Sequence, residues 1–418
     1  MRSRLPIPVL VSLLLAAGAA AVVPRLAAAQ DWPQWRGPNR DGVAPAAAVP
    51  AAWPAALKPG WTLPVGVGHA SPVVTGRRVI VHTRQDEREV VSAVDLDSGK
   101  IAWQDSYDAP YTMNRVATAH GKGPKSTPVV AGGRVCTLGI TEILSCYDVA
   151  SGRLLWRKEF SAQFPKTSPD FGTAMSPLVD RGLLIVHVGT SGQGEIVAFD
   201  AATGVPKWRW AGDGPGYSSP VAVDIAGTRQ IVTQSQARIV SLAADTGALL
   251  WSLPFSTPYV QNIVTPLAYR DLLIFSGLEN GIMAVRPAKQ GSAWTAETVW
   301  KNTEAGMYMN SPALKGELLF GFSHKNRGQF FCLDAATGKT LWLGEARQGE
   351  NASLVLAGGF LVSLTNDADL AVSAVSPGGM EPVRKYKAAE SPTWAHPVLT
   401  GRGVLVKDEK ALTFWTFD

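Results

Sequence analysis

Three of the six histidines stand just before short phrases that contain proline: His69 in GHASP, His120 in AHGKGPKSTP and His396 in WAHP. Histidine is the side chain best suited to moving a proton or binding a transition metal near neutral pH. The equivalent positions place the three on one side of a common site. Because the predicted spacing between repeats is wide for a single ion, we expect polar recognition at this site and no metal.

Other chemical signatures are weak or missing in the sequence. The glycine-rich run Gly189–Gly194 falls in a predicted hairpin turn without a following helix or lysine, so it does not predict a phosphate loop. There is no Gly-x-Ser-x-Gly nucleophile motif. We therefore assign no catalytic residue.

The three cysteines are too few for a disulfide framework. Cys136 and Cys146 flank a short predicted turn, and a cross-strand disulfide and two buried thiols are equally compatible with that spacing. Cys332 has no predicted partner.

The first 29 residues read as a secretory signal peptide, with a basic start, an apolar run and small residues at Ala27–Ala29. Removing them takes away three arginines and no acid, so the formal net charge falls from +5 to about +2. No cysteine stands near the predicted cleavage site to accept a lipid. We expect a periplasmic or secreted protein that is a monomer, with no membrane span after cleavage and no nucleic-acid partner.

One phrase recurs along the rest of the chain: Ser/Thr-Pro, two apolar strands around a glycine turn, then Asp-x-x-Ser/Thr-Gly-x-x-x-Trp. The period is about 45 residues, and each copy offers four short apolar runs, which predicts a β-propeller blade. Eight copies predict an all-β, eight-bladed propeller of four-stranded antiparallel blades over residues 57–418. The copies begin at Ser71, Thr127, Ser176, Ser219, Thr265, Ser311, Ser353 and His396.

The tryptophan at the end of each repeated phrase indicates how neighbouring blades meet. A tryptophan on each outermost strand is expected to cover the seam with the next blade. These predicted docking residues are Trp61, Trp103, Trp156, Trp208, Trp251, Trp300 and Trp342. The eighth copy stops at Asp418 without an outer strand, and residues 57–65 resemble the end of a repeat. We therefore predict that the strand around Trp61 completes the last blade and closes the ring.

Residues 30–56 precede this closing strand and contain the irregular run WPQWRGPNRDG. We expect this leader to pack on the propeller. Trp32 and Trp35 would cover apolar surface near the closure blade, and Arg36 and Asp41 would bond loop backbone. Docking of a partner is the alternative role.

The repeat resembles the pyrroloquinoline-quinone (PQQ)-like repeat family, on the stretches Asp95–Trp103, Asp148–Trp156, Asp200–Trp208 and Asp334–Trp342. The resemblance implies a funnel on one face where ligands bind. It also implies one of three roles: a quinoprotein dehydrogenase with PQQ, calcium and an aspartate base, a non-catalytic outer-membrane assembly scaffold, or a secreted propeller of unassigned role. The adjacent cysteine pair of many such dehydrogenases is absent here.

We therefore predict a non-catalytic binding or scaffold propeller that needs no cofactor and holds a periplasmic protein, peptide or polysaccharide at the funnel. The alternative is a PQQ- and calcium-dependent dehydrogenase of alcohols or sugars. The funnel should be lined by the loops before the innermost strands, which also carry Lys125, Tyr259 and Tyr308. The candidate funnel residues are His69, Asn114, Arg115, His120, Tyr217, Asn262, Asn310, Trp394 and His396.

Overall fold

The repeated phrase forms the same antiparallel sheet eight times in the computed structural model, which describes residues 31–164 and 169–418. The predicted signal peptide lies outside the described residues. In blades 1 to 6 the strands follow one another from the innermost to the outermost, whereas blades 7 and 8 each include a strand from the N-terminal region. The fold class predicted from the repeat is confirmed.

The first four blades are continuous in sequence. Their strands are Val73–Thr75, Arg78–Gln85, Arg88–Asp95 and Ile101–Asp108 in blade 1; Val129–Ala131, Arg134–Leu138, Ile143–Asp148 and Leu154–Glu159 in blade 2; Leu178–Asp180, Leu183–Thr190, Gln193–Asp200 and Pro206–Trp210 in blade 3; and Val221–Ile225, Thr228–Gln234, Arg238–Ala243 and Leu249–Pro254 in blade 4.

The last four blades include the two that recruit the N-terminal region. Their strands are Leu267–Tyr269, Leu272–Gly277, Gly281–Gln290 and Ala293–Asn302 in blade 5; Ala313–Lys315, Leu318–Ser323, Gln329–Asp334 and Thr340–Leu343 in blade 6; Ala352–Ala357, Phe360–Thr365, Asp369–Ser376 and Gly379–Lys387, with Val43–Ala44, in blade 7; and Val398–Leu399, Gly403–Lys407, Ala411–Thr416 and Lys58–Pro64 in blade 8.

Among the described residues, helix is confined to short 3-10 segments at Ala46–Ala48, Arg115–His120, Pro258–Val260 and Lys325–Arg327. Over the described ranges, no helix is both long and apolar enough to cross a membrane.

The ring closes as the sequence predicts. Lys58–Pro64 pairs antiparallel with Ala411–Thr416, with Trp61 opposite Phe414, so the N-terminal strand becomes the outermost strand of blade 8. A second contribution was not predicted: Val43–Ala44 pairs in parallel with Ala352–Ala357 and adds a fifth, axial strand to blade 7.

In blades 1, 2, 3 and 6 the Asp-x-x-Ser/Thr-Gly phrase forms the turn before the outermost strand. In blade 1, Asp95 Oδ1 accepts hydrogen bonds from the backbone N–H and the hydroxyl of Ser98, at 3.0 and 2.8 Å. Gly99 has a φ of 68°. A Cβ there would also lie only 2.7 Å from the ring of Trp61, so this position needs glycine for two independent reasons.

Six of the seven tryptophans at the repeat ends donate an indole N–H to a backbone oxygen of the next blade. The pairs are Trp61–Leu96, Trp103–Val149, Trp156–Ala201, Trp208–Ala244, Trp300–Ala335 and Trp342–Ser376, at 2.8–3.2 Å. Trp251 instead donates to Gln230 Oε1 in its own blade. Blade 5, which it faces, has a long hairpin in place of the Asp-x-x-Thr-Gly turn.

Cys136 and Cys146 form a disulfide between directly opposed residues of the second and third strands of blade 2. Cys332 is a buried free thiol. Blade 2 therefore carries a covalent cross-link across a single strand pair.

Around the axis, the side-chain hydroxyl before the inner strand of one blade accepts a hydrogen bond from a backbone N–H of the preceding blade. The N–H of His396 donates to Ser71 Oγ, that of Ser71 to Thr127 Oγ1, and that of Thr127 to Ser176 Oγ, at 2.9–3.0 Å. Ser176 N–H bonds Ser219 in the same way. The serine or threonine of the repeated phrase thus links consecutive blades at the funnel end of the inner strands.

The leader occupies the central channel. Trp32 exchanges backbone hydrogen bonds with Val74 of blade 1, and Pro33 O accepts from Val130 N–H of blade 2. On the opposite side, Gly42 O accepts from Leu356 N–H of blade 7. Trp32 shares a buried apolar cluster with Val398 and Phe414 of blade 8, the closure blade near which it was expected. The sequence did not predict that the run lies along the inner strands.

Two buried arginines hold the leader in the channel. Arg36 donates to the backbone oxygens of Asp41 and Pro312, the latter just before the inner strand of blade 6. Arg40 donates to the backbone oxygens of Ser176 and Pro177, at the start of blade 3, at 3.0 and 2.8 Å. Together with the contacts above, the leader forms hydrogen bonds with backbone groups at or next to the inner strands of five of the eight blades.

The two ends of the central channel can be told apart by the direction of the inner strands. The inner strand of blade 1 begins at the funnel with Ser71 and ends at the opposite face, where Gly76 N–H donates to Asp31 Oδ1 at 2.7 Å. Residue 31 therefore lies on the face opposite the funnel.

Replacing Trp61 by alanine should lower the free energy of unfolding by about 3 kcal/mol, as should Trp103→Ala, because both open a seam between blades. Chemical denaturation measures this. Ile101→Ala is the control, since that side chain lies on the same outermost strand as Trp103 and is 47% exposed. A Trp61 variant as stable as wild type would show that the closing strand contributes little.

Replacing Arg36 by methionine should lower the free energy of unfolding by about 3 kcal/mol, because it leaves buried backbone oxygens without donors. Arg77→Met removes the same charge from a side chain that is 66% exposed, and should change stability by less than about 1 kcal/mol. Equal urea midpoints for the two variants would contradict a structural role for the channel arginine.

Candidate functional site

A cavity of about 480 Å³ opens at the funnel face, where the inner strands begin. Six aromatic rings line it, together with three nitrogen bases and a set of small, apolar and neutral polar side chains. These are Trp35, Phe171, Tyr217, Tyr259, Tyr308 and Trp394; His69, His120 and Lys125; and Val116, Ala117, Ala174, Ser219, Gln261, Ile263, Thr265, Leu278, Met309 and Ser311. The volume is that of a pocket for a small ligand or the end of a chain.

Four of the predicted funnel residues line this cavity: His69, His120, Tyr217 and Trp394. Tyr217 is held by its hydroxyl, which accepts from Phe171 N–H at 3.1 Å. These residues come from loops of blades 1, 2, 4 and 8, so the ring of blades brings them together.

The other five predicted residues have different positions. Asn114 Oδ1 accepts from Val116 N–H and begins the helical turn Arg115–His120, on which Arg115 is exposed. Asn262 is buried, and its amide donates to Ser235, Gln236 and Phe255 carbonyls, which fixes loop backbone.

Asn310 and His396 are also buried. Asn310 Nδ2 lies 3.3 Å from Asn351 Oδ1, in a contact between blades 6 and 7. His396 lies against the ring of Trp35, with centroids 4.5 Å apart, and the cavity does not reach it.

His69, His120 and Trp394 form one cluster on the cavity wall. His69 Nε2 donates to the backbone oxygen of His120 at 2.8 Å. The ring of Trp394 lies 4.8 Å from that of His120 and 6.1 Å from that of His69. Burial, with Lys407 and Lys125 nearby, lowers the pKa of His69 to about 3. Burial also lowers the pKa of His120, so both rings are neutral at neutral pH.

The three histidines singled out from the sequence are therefore split, with two on the wall and His396 beneath Trp35. In the part of the chain that the structure describes, no group of three His, Cys, Asp or Glu side chains is placed to hold a metal ion.

Among the lining residues that the structure describes, Lys125 alone carries charge at neutral pH. Its Nζ donates to the backbone oxygen of Phe171 at 2.6 Å, and burial lowers its pKa to about 8. Asp170 and Glu350 lie near the tyrosines and His120, but neither lines the cavity. The lining described here is thus aromatic and cationic, without a carboxylate.

The floor and the rim include residues that the pattern of loops did not identify. Trp35 forms the floor, and its indole N–H donates to Thr265 Oγ1 at 2.9 Å. It belongs to the leader, so only the packing of distant segments brings it here. Gln261 accepts a hydrogen bond from the hydroxyl of Tyr308.

The sequence of the chain is similar to those of known proteins. A family model described as outer membrane protein assembly factor BamB matches residues 87–344. The chain is similar to BamB of Shewanella oneidensis, 23% identical over 265 residues, which cover 61% of this chain and 65% of that protein. It is 26% identical over 220 residues to BamB of Yersinia pestis, with 52% and 51% covered. The chain thus spans about half to two thirds of these curated relatives.

Solved structures share the fold. BamB from Moraxella catarrhalis matches with a TM-score of 0.59 at 16% identity, over 86% of this chain and 99% of that one. A quinohemoprotein alcohol dehydrogenase from Comamonas testosteroni matches with a TM-score of 0.67 at 15% identity, over 93% and 80%. At these identities the likeness concerns the fold alone.

The dehydrogenase likeness raises the question of whether a quinone and calcium fit this funnel. Calcium in proteins takes six to eight oxygen ligands, carboxylates among them. Over the described residues the cavity lining supplies hydroxyls, amides and one ammonium, but no carboxylate. The lining does not match a calcium site or provide an aspartate base.

The buried His396 makes stability depend on pH. Burial, with Arg36 nearby, lowers its pKa to about 3, whereas the unfolded chain binds the proton near pH 6.5. The neutral ring therefore stabilises the fold fully above pH 6.5, and this contribution is lost as the pH falls towards 3. Between pH 7 and pH 5, His396→Asn should reduce the loss in unfolding free energy by about 2 kcal/mol, measured by denaturant titration at both pH values. An unchanged pH dependence would contradict a neutral His396.

Proposed function

Because the chain belongs to the outer membrane protein assembly factor BamB family, we propose that it is a non-catalytic scaffold propeller of the periplasm. In this proposal a segment of a protein partner binds in the funnel cavity. The relatives are named outer membrane protein assembly factors, and the predicted signal peptide agrees with export.

The observation that carries the proposal is the chemistry of the cavity mouth. Val116 and Tyr259 stand on its rim with 79% and 76% of their surface exposed. Large apolar side chains at this exposure, next to a concave aromatic surface, are typical of sites that bind another molecule. A polar small molecule would gain little from this rim.

The cavity also lacks the groups of an assembled catalytic site, as far as the described residues extend. The two lining histidines are neutral, and His69 is bonded to a backbone oxygen. No serine or cysteine of the lining has a hydrogen-bonded histidine beside it. Recognition is the activity that the lining supports.

A PQQ- and calcium-dependent dehydrogenase is the second candidate, favoured by the TM-score of 0.67 with the quinohemoprotein alcohol dehydrogenase. It requires calcium ligands and a base that the described lining does not supply. Reconstitution separates the two functions. We expect neither stoichiometric quinone binding in equilibrium dialysis with calcium nor dye-linked oxidation of alcohols or sugars. Either result would overturn the scaffold proposal.

Site-specific photocrosslinking tests the scaffold role directly. The full chain is exported in bacteria with a photoreactive amino acid in place of Tyr259 at the funnel or of Arg77 on the opposite face. We expect a discrete adduct with a periplasmic protein from position 259 and none from position 77. Adducts from neither position, or from 77 alone, would contradict binding at the funnel.

A further inference from the structure

We propose that the cavity binds the C-terminal end of a polypeptide, with the chain's carboxylate at Lys125 and an apolar last side chain among Tyr217, Tyr308 and Trp394. This inference rests on the proposed function, since it specifies which part of a protein partner the funnel holds. The juxtaposition that carries it is a single buried ammonium at the wall of a blind aromatic cavity.

The shape of the cavity selects a chain end. Trp35 closes the floor and is fixed by its bond to Thr265. Below it, the buried Arg36 and the rest of the leader fill the channel. A polypeptide that enters through the mouth has no exit on the other side, so it must either end inside the cavity or turn back within it.

The charge of the cavity selects the carboxyl end over the amino end. Lys125 has three N–H donors and uses one on the Phe171 carbonyl. No carboxylate among the described lining residues balances its charge, and the neighbouring histidines are neutral. A buried cation is costly until an anion reaches it, and a carboxylate both pairs with it and accepts its remaining protons. A terminal ammonium would be repelled.

The rim favours a ligand that continues out of the cavity. Tyr259 and Val260 both have a φ of 57°, in the left-handed region. This conformation is rare for a β-branched residue, and such backbone strain clusters at functional sites. It holds the exposed Tyr259 at the mouth, across from which Val116 offers a second apolar surface. A small carboxylic acid would lie below these residues, whereas a longer chain would contact both.

Peptide binding to the purified full chain tests the proposal. Fluorescein-labelled hexapeptides that end in phenylalanine are compared as free acid and as C-terminal amide by fluorescence anisotropy. We expect the acid to bind at least about tenfold more tightly, since a hydrogen-bonded ion pair is lost in the amide. Lys125→Met should abolish this ratio. Lys122→Met removes the same charge from a side chain paired with Glu87 outside the cavity, and should preserve it.

The outcomes separate this proposal from the broader one. Equal binding of acid and amide would overturn the carboxylate assignment, and the wild-type ratio decides this even if the Lys125 variant fails to fold. If N-acetylphenylalanine binds as tightly as the hexapeptide, the site is one for a small acid, and the proposal of a chain end fails. No peptide binding, with a crosslink from position 259 still present, overturns the chain-end proposal and leaves the scaffold. Loss of both overturns both.

Discussion

The constraint on which this structure depends is the unpaired inner edge of its eight sheets. Closing a ring of blades leaves the N–H and C=O groups of each innermost strand facing a central channel, where they need partners. At five of the eight blades the leader supplies such partners, through backbone bonds from Trp32, Pro33 and Gly42 and through the guanidinium groups of Arg36 and Arg40. A segment without helical or strand periodicity suits this task, because its partners lie in different directions around the axis.

Filling the channel also determines the chemistry of the funnel. With Trp35 as a floor, the axial passage becomes a blind cavity, and the groups around it lose contact with water. Desolvation then lowers the pKa values of His69 and Lys125, to about 3 and about 8. The histidines become neutral, and the lysine remains as an isolated cation. The leader, which no local pattern connects with the funnel, therefore shapes its electrostatics and its depth.

The sequence predicted what local hydrogen bonding determines. The Asp-x-x-Thr-Gly turn and the alternation of four apolar runs specified the eight sheets, and the missing outer strand of the last copy identified Lys58–Pro64 as its replacement. The path of the leader through the channel was not predicted, because it depends on contacts such as that of Arg36 with Pro312, 276 residues apart in the sequence. The histidines were placed together by their equivalent repeat positions, but Trp35 separates His396 from the other two. Residues at equivalent positions of the repeats thus have different surroundings, because the leader, which is not part of the repeat, contacts only some of them.

One N-terminal segment both fills the central channel and closes the ring of blades. The leader at residues 31–44 bonds the inner strands of distant blades, and residues 58–64 pair with the last strand of the protein. Trp53 lies between these parts and packs against Phe360 of blade 7 and Phe417 after blade 8. Burying Arg36 and Arg40 is favourable only when blades 3 and 6 already present their carbonyls, and blade 8 is complete only when Lys58–Pro64 arrives. The N-terminal segment therefore both completes the last blade and forms the floor of the funnel.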